Sequence, residues 1–394
     1  MPSVRHNRSL GAALLIAAVN LRLTVAAVPP VLNQIRHTTG LSSAGAGLLT
    51  GAPVFCFGLV ALASPRLIRR FGMGPLLSLT LLAVIGGAAI RLVPALFPLF
   101  LGTVLLGSGI AVSNVLIPGL IKRDFPRERV LMTALYSVAL SGGGAVGAGL
   151  TVPIEHATGL GWRVTIALWG VLAALAVMLW TPHVREEATL VDDTHGAAIP
   201  GLWRDRLAWC VSGFMGLQSF GFYAILSWLP TIAESHGVSA SHAGLLVSLA
   251  AFAGMGGAFL MPGFERRTLH RSLPVVICFI ACAVGYTGLL LAPTSAIVLW
   301  CIVFGTGQGA LLALALGFIV ARAPDSRHAA HLSTMAQSVG YLIASAAPFA
   351  MGALHGATGS WTLPIVMLLV VLVPMLMTGL AASQERHVLV QEAQ

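Results

Sequence analysis

The chain has 394 residues, of which 57% are hydrophobic and only 9% charged, with a mean hydropathy of +0.90. A soluble globular domain carries about a quarter of its residues as charges, so this composition excludes one: the chain could not cover its own surface in water. A formal net charge of +9 and a pI near 10.2 raise the question of a polyanionic partner, which the placement of the charges answers below.

Apolar runs long enough to cross a hydrocarbon core, about 18 residues or more, recur from end to end. In chain order they predict twelve spans, near 10–35, 44–63, 74–93, 95–119, 130–153, 162–182, 204–233, 241–262, 273–292, 295–320, 331–354 and 361–383. The fold class is therefore an all-α integral membrane protein of twelve transmembrane helices. Arg5 and Arg8 ahead of the first run resemble the start of a signal peptide. Arg22 interrupts that run and many spans follow, so it reads as an uncleaved first helix. With both termini in the cytoplasm, 18 of the 22 Lys and Arg residues fall on the cytoplasmic side. Arg36, Arg91 and Arg163 fall outside, and Arg22 lies within the membrane. The positive-inside rule predicts this asymmetry. The basic pI thus reports topology, and no nucleic-acid partner is expected.

The halves repeat. "AGLL" at 46–49 returns at 243–246, Pro65 matches Pro262, and Arg69-Arg70 matches Arg266-Arg267, all at an offset of 197. "ATG" at 157–159 returns at 357–359, and "SV" at 137–138 returns at 338–339. Residues 1–182 and 204–394 then form two six-helix bundles, joined by a polar cytoplasmic linker at 183–203. A parallel repeat of this kind builds the major facilitator architecture, with pseudo-two-fold symmetry. That architecture implies a transporter whose site lies between the halves near the midplane.

Polar residues inside the spans mark the candidate site. Arg22 lies about 18 Å into the first span at about 1.5 Å per residue, too deep to snorkel easily. A central arginine costs about 2.5–3.5 kcal/mol on insertion scales. All 13 acidic residues fall in loops, tails or span ends, so a bound anion is the expected partner of Arg22, against a cap on backbone carbonyls. Asn20 points about 200° away around the helix and is balanced between the cavity and a neighbouring helix. Asn114, Tyr136, Gln218, Tyr223, Gln308, Gln337 and Tyr341 sit at comparable depth. Gln337 and Tyr341 share a helix face, and Gln337 corresponds to Tyr136 through the repeat. Each of these alone serves as interhelical glue nearly as well as substrate contact; the set points to a small anion or a planar polar molecule. The glycines of "SGGGAVGAG" at 141–149 let helices approach closely.

Cys56, Cys210, Cys278, Cys282 and Cys301 lie in apolar segments without metal-ligand spacing and read as packing residues. The sequence holds no P-loop, H-E-x-x-H or G-x-S-x-G motif. The chain is expected to be neither an enzyme nor an ATP-driven pump, and to need no cofactor and no metal. Its partners are a small solute and membrane lipid, and it is expected to act as a monomer.

"NLR" at 20–22, "NVLIPGLIKRDFP" at 114–126, "GLGWR" at 159–163, "GLQSFGFYAILSWLPT" at 216–231, "MAQSVGYLIA" at 335–344 and "TGSWTLP" at 358–364 resemble the cyanate/nitroimidazole permease branch (CynX/NimT) of the major facilitator superfamily. The resemblance covers nearly the whole chain. It implies a bacterial inner-membrane secondary transporter for a cyanate-like anion or a 2-nitroimidazole-like compound, and the Gly-rich fifth span loosely resembles the superfamily's antiporter signature. Two departures stand out. Leu23 follows Arg22 where relatives commonly carry proline, which predicts a less kinked first span. Pro65 stands where the loop after span 2 usually has an acid, which argues against a charge-based cytoplasmic gate of the usual form. The alternatives are a multidrug-type exporter of neutral organic compounds and a non-transporting membrane sensor.

Overall fold

The computed structural model describes residues 4–184, 199–268, 270–291, 294 and 296–389; most of the linker at 183–203, its residues 185–198, lies outside the described residues. The helices in chain order are α1 (Val4–Ala26), α2 (Leu32–Thr39), α3 (Ser43–Val60), α4 (Ser64–Phe71), α5 (Met73–Ile90), α6 (Leu96–Asp124), α7 (Arg129–Thr158), α8 (Gly161–Leu168), α9 (Gly170–Trp180), α10 (Arg206–Ser235), α11 (Ala240–Arg267), α12 (Leu273–Leu291), α13 (Ile297–Ala321), α14 (Ser326–Thr358) and α15 (Thr362–Ser383). Among the described residues, twelve helical segments are long and apolar enough to span a bilayer.

Two of the predicted spans are broken. The first stays helical through Arg22, with the Leu23 carbonyl accepting from the Ala27 N–H at 3.0 Å. It breaks at Pro29-Pro30, where a short 3-10 turn precedes α2, because proline has no N–H to continue the ladder. The first span is thus unkinked at the arginine and breaks beyond it. The sixth span breaks at Trp169, between α8 and α9. Pro65 opens α4 within its first turn, where a missing N–H costs nothing.

The chain divides into two compact units, Met1–Val191 with Leu229–Ser248, and Asp192–Trp228 with Leu249–Gln394. In the first, α1 packs on α7 and α9, and α5 on α6 and α9. The segment 229–248 is held there by Asn33 Nδ2 donating to Glu234 Oε2 (2.5 Å) and Ser248 Oγ donating to Ala145 O (2.7 Å). Beside it, Gln34 Nε2 donates to Glu155 Oε2 at 3.0 Å. In the second unit, α12 packs on α13 and α15, and α14 on α15.

The "ATG" repeat has a structural cause. Gly159 and Gly359 both take φ of +66° and donate their N–H groups, at 2.8 Å, to Glu155 O and His355 O. Each closes a long helix with the left-handed residue that glycine adopts without strain. Large apolar side chains cover much of the surface, including Phe259 (84% exposed) and Phe97 (76%). A water-facing protein hides such groups, whereas lipid solvates them.

Candidate functional site

Arg22 stands on α1, half-buried. Its helix is positioned by the glycines of α7: a Cβ at Gly143 would overlap Val19 O, and one at Gly147 would overlap Leu23 O. Three and four residues apart on a helix means one face, so Gly143 and Gly147 form a flat strip on which the α1 backbone lies, above and below Arg22. Gly144 sits beside the arginine itself, where a Cβ would come to 3.7 Å from Arg22 Cβ. The predicted glycine cluster and the predicted arginine are therefore parts of one arrangement, a pairing that spacing alone does not reveal.

Asn20 turns away from Arg22 towards helix packing. It is fully buried, and its Nδ2 donates to Trp169 O at 3.1 Å. The Trp169 carbonyl also accepts from the Leu172 N–H at 3.3 Å, and the Trp169 indole donates to Thr151 Oγ1 on α7 at 3.0 Å. One residue thus ties α1, α7 and the α8–α9 break together. Asn114 and Tyr136 are brought together as expected from their depth, with the phenol donating to Asn114 Oδ1 at 3.5 Å.

The remaining candidates belong to the second unit. Gln218 is buried on α10 and its Nε2 donates to Ser219 Oγ (2.6 Å) and Met215 O (3.1 Å). Gln337 Nε2 donates to Ser333 Oγ at 2.8 Å on its own helix. Tyr341 meets Tyr223 edge to face at 6.3 Å, and Tyr223 meets Phe222 at 5.1 Å. The α10 and α14 backbones that carry these rings nearly touch, since a Cβ at Gly216 would lie 3.1 Å from Gly340 Cα.

Gln308 has a partner that sequence reading overlooked. Its Nε2 donates to the hydroxyl of Tyr286 at 2.6 Å. Tyr286, on α12, is wholly buried and packs on Phe304 with ring centroids 5.9 Å apart. The rule that singled out the other polar groups, depth within a span, applies equally to Tyr286. Its pairing with Gln308, 22 residues away, is a tertiary fact. Two amide oxygens, Asn20 Oδ1 and Gln308 Oε1, are buried and meet no donor among the described residues. An unsatisfied buried acceptor costs about 1–3 kcal/mol.

Among the described residues no cluster of His, Cys, Asp or Glu could hold a metal ion. The five cysteines are free, all buried except half-buried Cys210.

Residues 12–348 match the family described as Major Facilitator Superfamily. The chain is 38% identical to the 2-nitroimidazole transporter of Escherichia coli (strain K12), over 96% of each protein. It is 30% identical to the cyanate transport protein CynX of the same organism, over 88% of this chain and 90% of the relative. Among solved structures, the inward-facing, unoccupied form of a bacterial homolog of the human lysosomal transporter Spinster superposes with a TM-score of 0.79. It shares 17% identity over 97% of this chain and 98% of that one, a likeness of fold. These matches and the twelve spans place the chain in a membrane as a multi-pass transporter, not an enzyme, and it belongs to the Major Facilitator Superfamily, in the branch of the cyanate and 2-nitroimidazole permeases.

Proposed function

We propose that the protein is a secondary transporter or facilitator that moves a small anionic or planar polar solute across a bacterial inner membrane by alternating access. The solute class is a cyanate-like anion or a 2-nitroimidazole-like compound, and both termini lie in the cytoplasm. Six-helix bundles of residues 1–182 and 204–394 do the work, one protein molecule at a time.

The observation that carries this reading is the intramembrane arginine, set on a helix that the Gly143–Gly147 strip fixes in place. Arginine keeps its charge at any physiological pH and offers several donors in a rigid fork. A nitro group or a linear anion presents acceptors that such a fork can take two at a time. Charge neutralisation by a bound anion makes closing the protein around the loaded site cheaper than closing it empty. Asn114, Tyr136, Gln218, Gln337 and Tyr341 orient the solute by hydrogen bonds, with Tyr223 and Gln308 completing the lining, while Asn20, expected from the sequence to face either way, serves helix packing. The named transport of 2-nitroimidazole and cyanate by the two relatives supports the size and polarity of the solute.

The test is thermal unfolding of the purified protein with cyanate, nitrate, small carboxylates and 2-nitroimidazole, alongside Arg22→Gln. A ligand at 100 times its Kd stabilises the folded state by about 2.7 kcal/mol. Stabilisation by one of these compounds that disappears in Arg22→Gln is the expected result. Stabilisation that survives the substitution overturns the role given to Arg22, and silence across the whole panel overturns the solute class.

A further inference from the structure

The spans α3 and α5 are joined by a 3-10 turn at Ala61–Ala63 and by α4, so α4 lies at a membrane face. Its sequence, SPRLIRRF, sorts by helical spacing into two stripes. Arg66, Arg69 and Arg70, three and four residues apart, share one face, and all three are exposed. Leu67, Ile68 and Phe71 share another. Phe71 is 42% exposed, with the Arg70 guanidinium 5.3 Å from its ring centroid, and Leu62 in the preceding turn is 40% exposed. None of the three arginines meets a carboxylate among the described residues. Met73, just beyond α4, meets α6, since a Cβ at Gly119 would lie 3.4 Å from its sulfur. One turn further along α6, Lys122 is exposed at the same end. The acid that follows it, Asp124, is engaged by Arg123 at 2.7 Å.

The repeat supplies the comparison. Pro65, Arg69 and Arg70 return as Pro262, Arg266 and Arg267, but there α11 runs unbroken through Arg267, and Gly263 and Glu265 stand in place of Arg66 and Ile68. The second copy thus has a carboxylate of its own, and its next cation, Arg271, is paired with Glu385 at 2.6 Å. The first copy instead sets three cations beside exposed apolar side chains on a separate helix.

We propose that α4, with Lys122, is a docking surface for anionic phospholipid, which places its phosphate on the arginines and its acyl chains over Leu62 and Phe71. A basic helix with an apolar stripe suits the interface plane of a bilayer. A guanidinium takes phosphate oxygens two at a time, and each cation near an anionic membrane surface strengthens binding by roughly fivefold. A zwitterionic lipid sets its own ammonium against the same arginines and gains less. Nothing in this surface depends on the solute.

The experiment mixes the purified, full-length protein in neutral detergent with equal amounts of dioleoyl phosphatidylglycerol and dioleoyl phosphatidylcholine, and resolves the bound lipids by mass spectrometry of the intact complex. Wild type is expected to retain phosphatidylglycerol over phosphatidylcholine by roughly tenfold or more. The triple variant Arg66→Gln, Arg69→Gln, Arg70→Gln loses most of that preference, and Arg69→Gln alone reduces it by roughly fivefold. Arg266→Gln with Arg267→Gln, in the second copy, leaves it standing. Inorganic phosphate and glycerol phosphate in excess do not displace the lipid, because neither has chains to cover the apolar side chains. Equal retention of the two lipids by wild type, or an undiminished preference in the triple variant, overturns the proposal. An equal loss in the second-copy variant also overturns it, by making the preference a general effect of positive charge. Displacement by the soluble phosphates does the same, by making the occupant a free anion. If the triple variant does not fold, Arg69→Gln decides.

Discussion

Arg91 shows what an intramembrane-edge arginine looks like when it serves packing. It lies just beyond α5, 1% exposed, with Nε donating to Thr103 Oγ1 at 3.2 Å and Nη2 left without a partner among the described residues. Burial pulls its pKa down to about 10, so it is still charged at neutral pH and the folded state bears the cost of that charge. The sign is opposite to a stabilising pair: a cation whose folded pKa is depressed costs stability below that value, and the cost is relieved as pH rises through about 10 towards its unfolded value. Arg91→Met is therefore expected to leave the protein as stable or raise its stability by about 1–4 kcal/mol, read as a higher melting temperature at neutral pH. A loss of several degrees would show that Arg91 has a partner worth more than its desolvation. Arg22 is expected to behave in the other way, costing ligand binding with little change in the melting temperature of the unliganded protein. The sequence distinguishes these two arginines by depth alone, since Arg91 sits where a span ends and Arg22 where one is halfway. It does not show that Gln308 is paired with Tyr286, because neither residue's neighbours in the chain predict a contact across two helices.

The helices register their close contacts in glycine. Gly143→Ala and Gly147→Ala each drive a methyl into the backbone of α1, and overpacking of this kind costs about 1–3 kcal/mol. Gly142 is the control, since a Cβ there meets nothing within 4 Å. Thermal unfolding should separate the three, with Gly142→Ala close to wild type and the other two lowered; equal melting temperatures would mean that α1 and α7 are not in backbone contact. A second element-scale expectation concerns the start of α14. Asp325 accepts from the His328 N–H at 2.8 Å as the helix cap, and hydrogen bonds from His328 hold its carboxyl below the ordinary aspartate range. A carboxyl with a lowered folded pKa adds stability above its unfolded value and loses it as pH falls through the folded one. Asp325→Ala should lower the melting temperature at neutral pH, and the gap from wild type should close in acid. A gap that is the same at both would rule out the charged cap. Element existence was readable from apolar run length, and the break at Pro29-Pro30 follows from proline chemistry. The break at Trp169 was not readable, because it carries no proline and its carbonyl is shared between the Leu172 N–H and Asn20 of another helix.

At the scale of the whole molecule, the twelve spans were legible because the bilayer leaves a linear trace in apolar run length. The collinear matches at an offset near 197 need no tertiary contact to be seen, and neither does the sidedness of lysine and arginine. Orientation can be checked directly. In a background without native cysteines, a cysteine at Arg69 should stay unlabelled by an impermeant maleimide added to intact cells, while one at Thr39 should react. The reverse pattern would place the termini outside. The candidate site was legible as a set of polar residues and not as a geometry, because depth along a span says nothing of which way a side chain turns.

The glycine strip beneath Arg22 has a mechanical meaning. With the α1 and α7 backbones in contact on both sides of the arginine, the backbone that carries it cannot shift without moving its neighbour. A displacement of the α1 backbone at this point is a displacement of two membrane-spanning rods at once. Any such displacement is shared over some fifty residues of helix, and spin labels on the two rods should keep one fixed separation whether the transporter is loaded or empty.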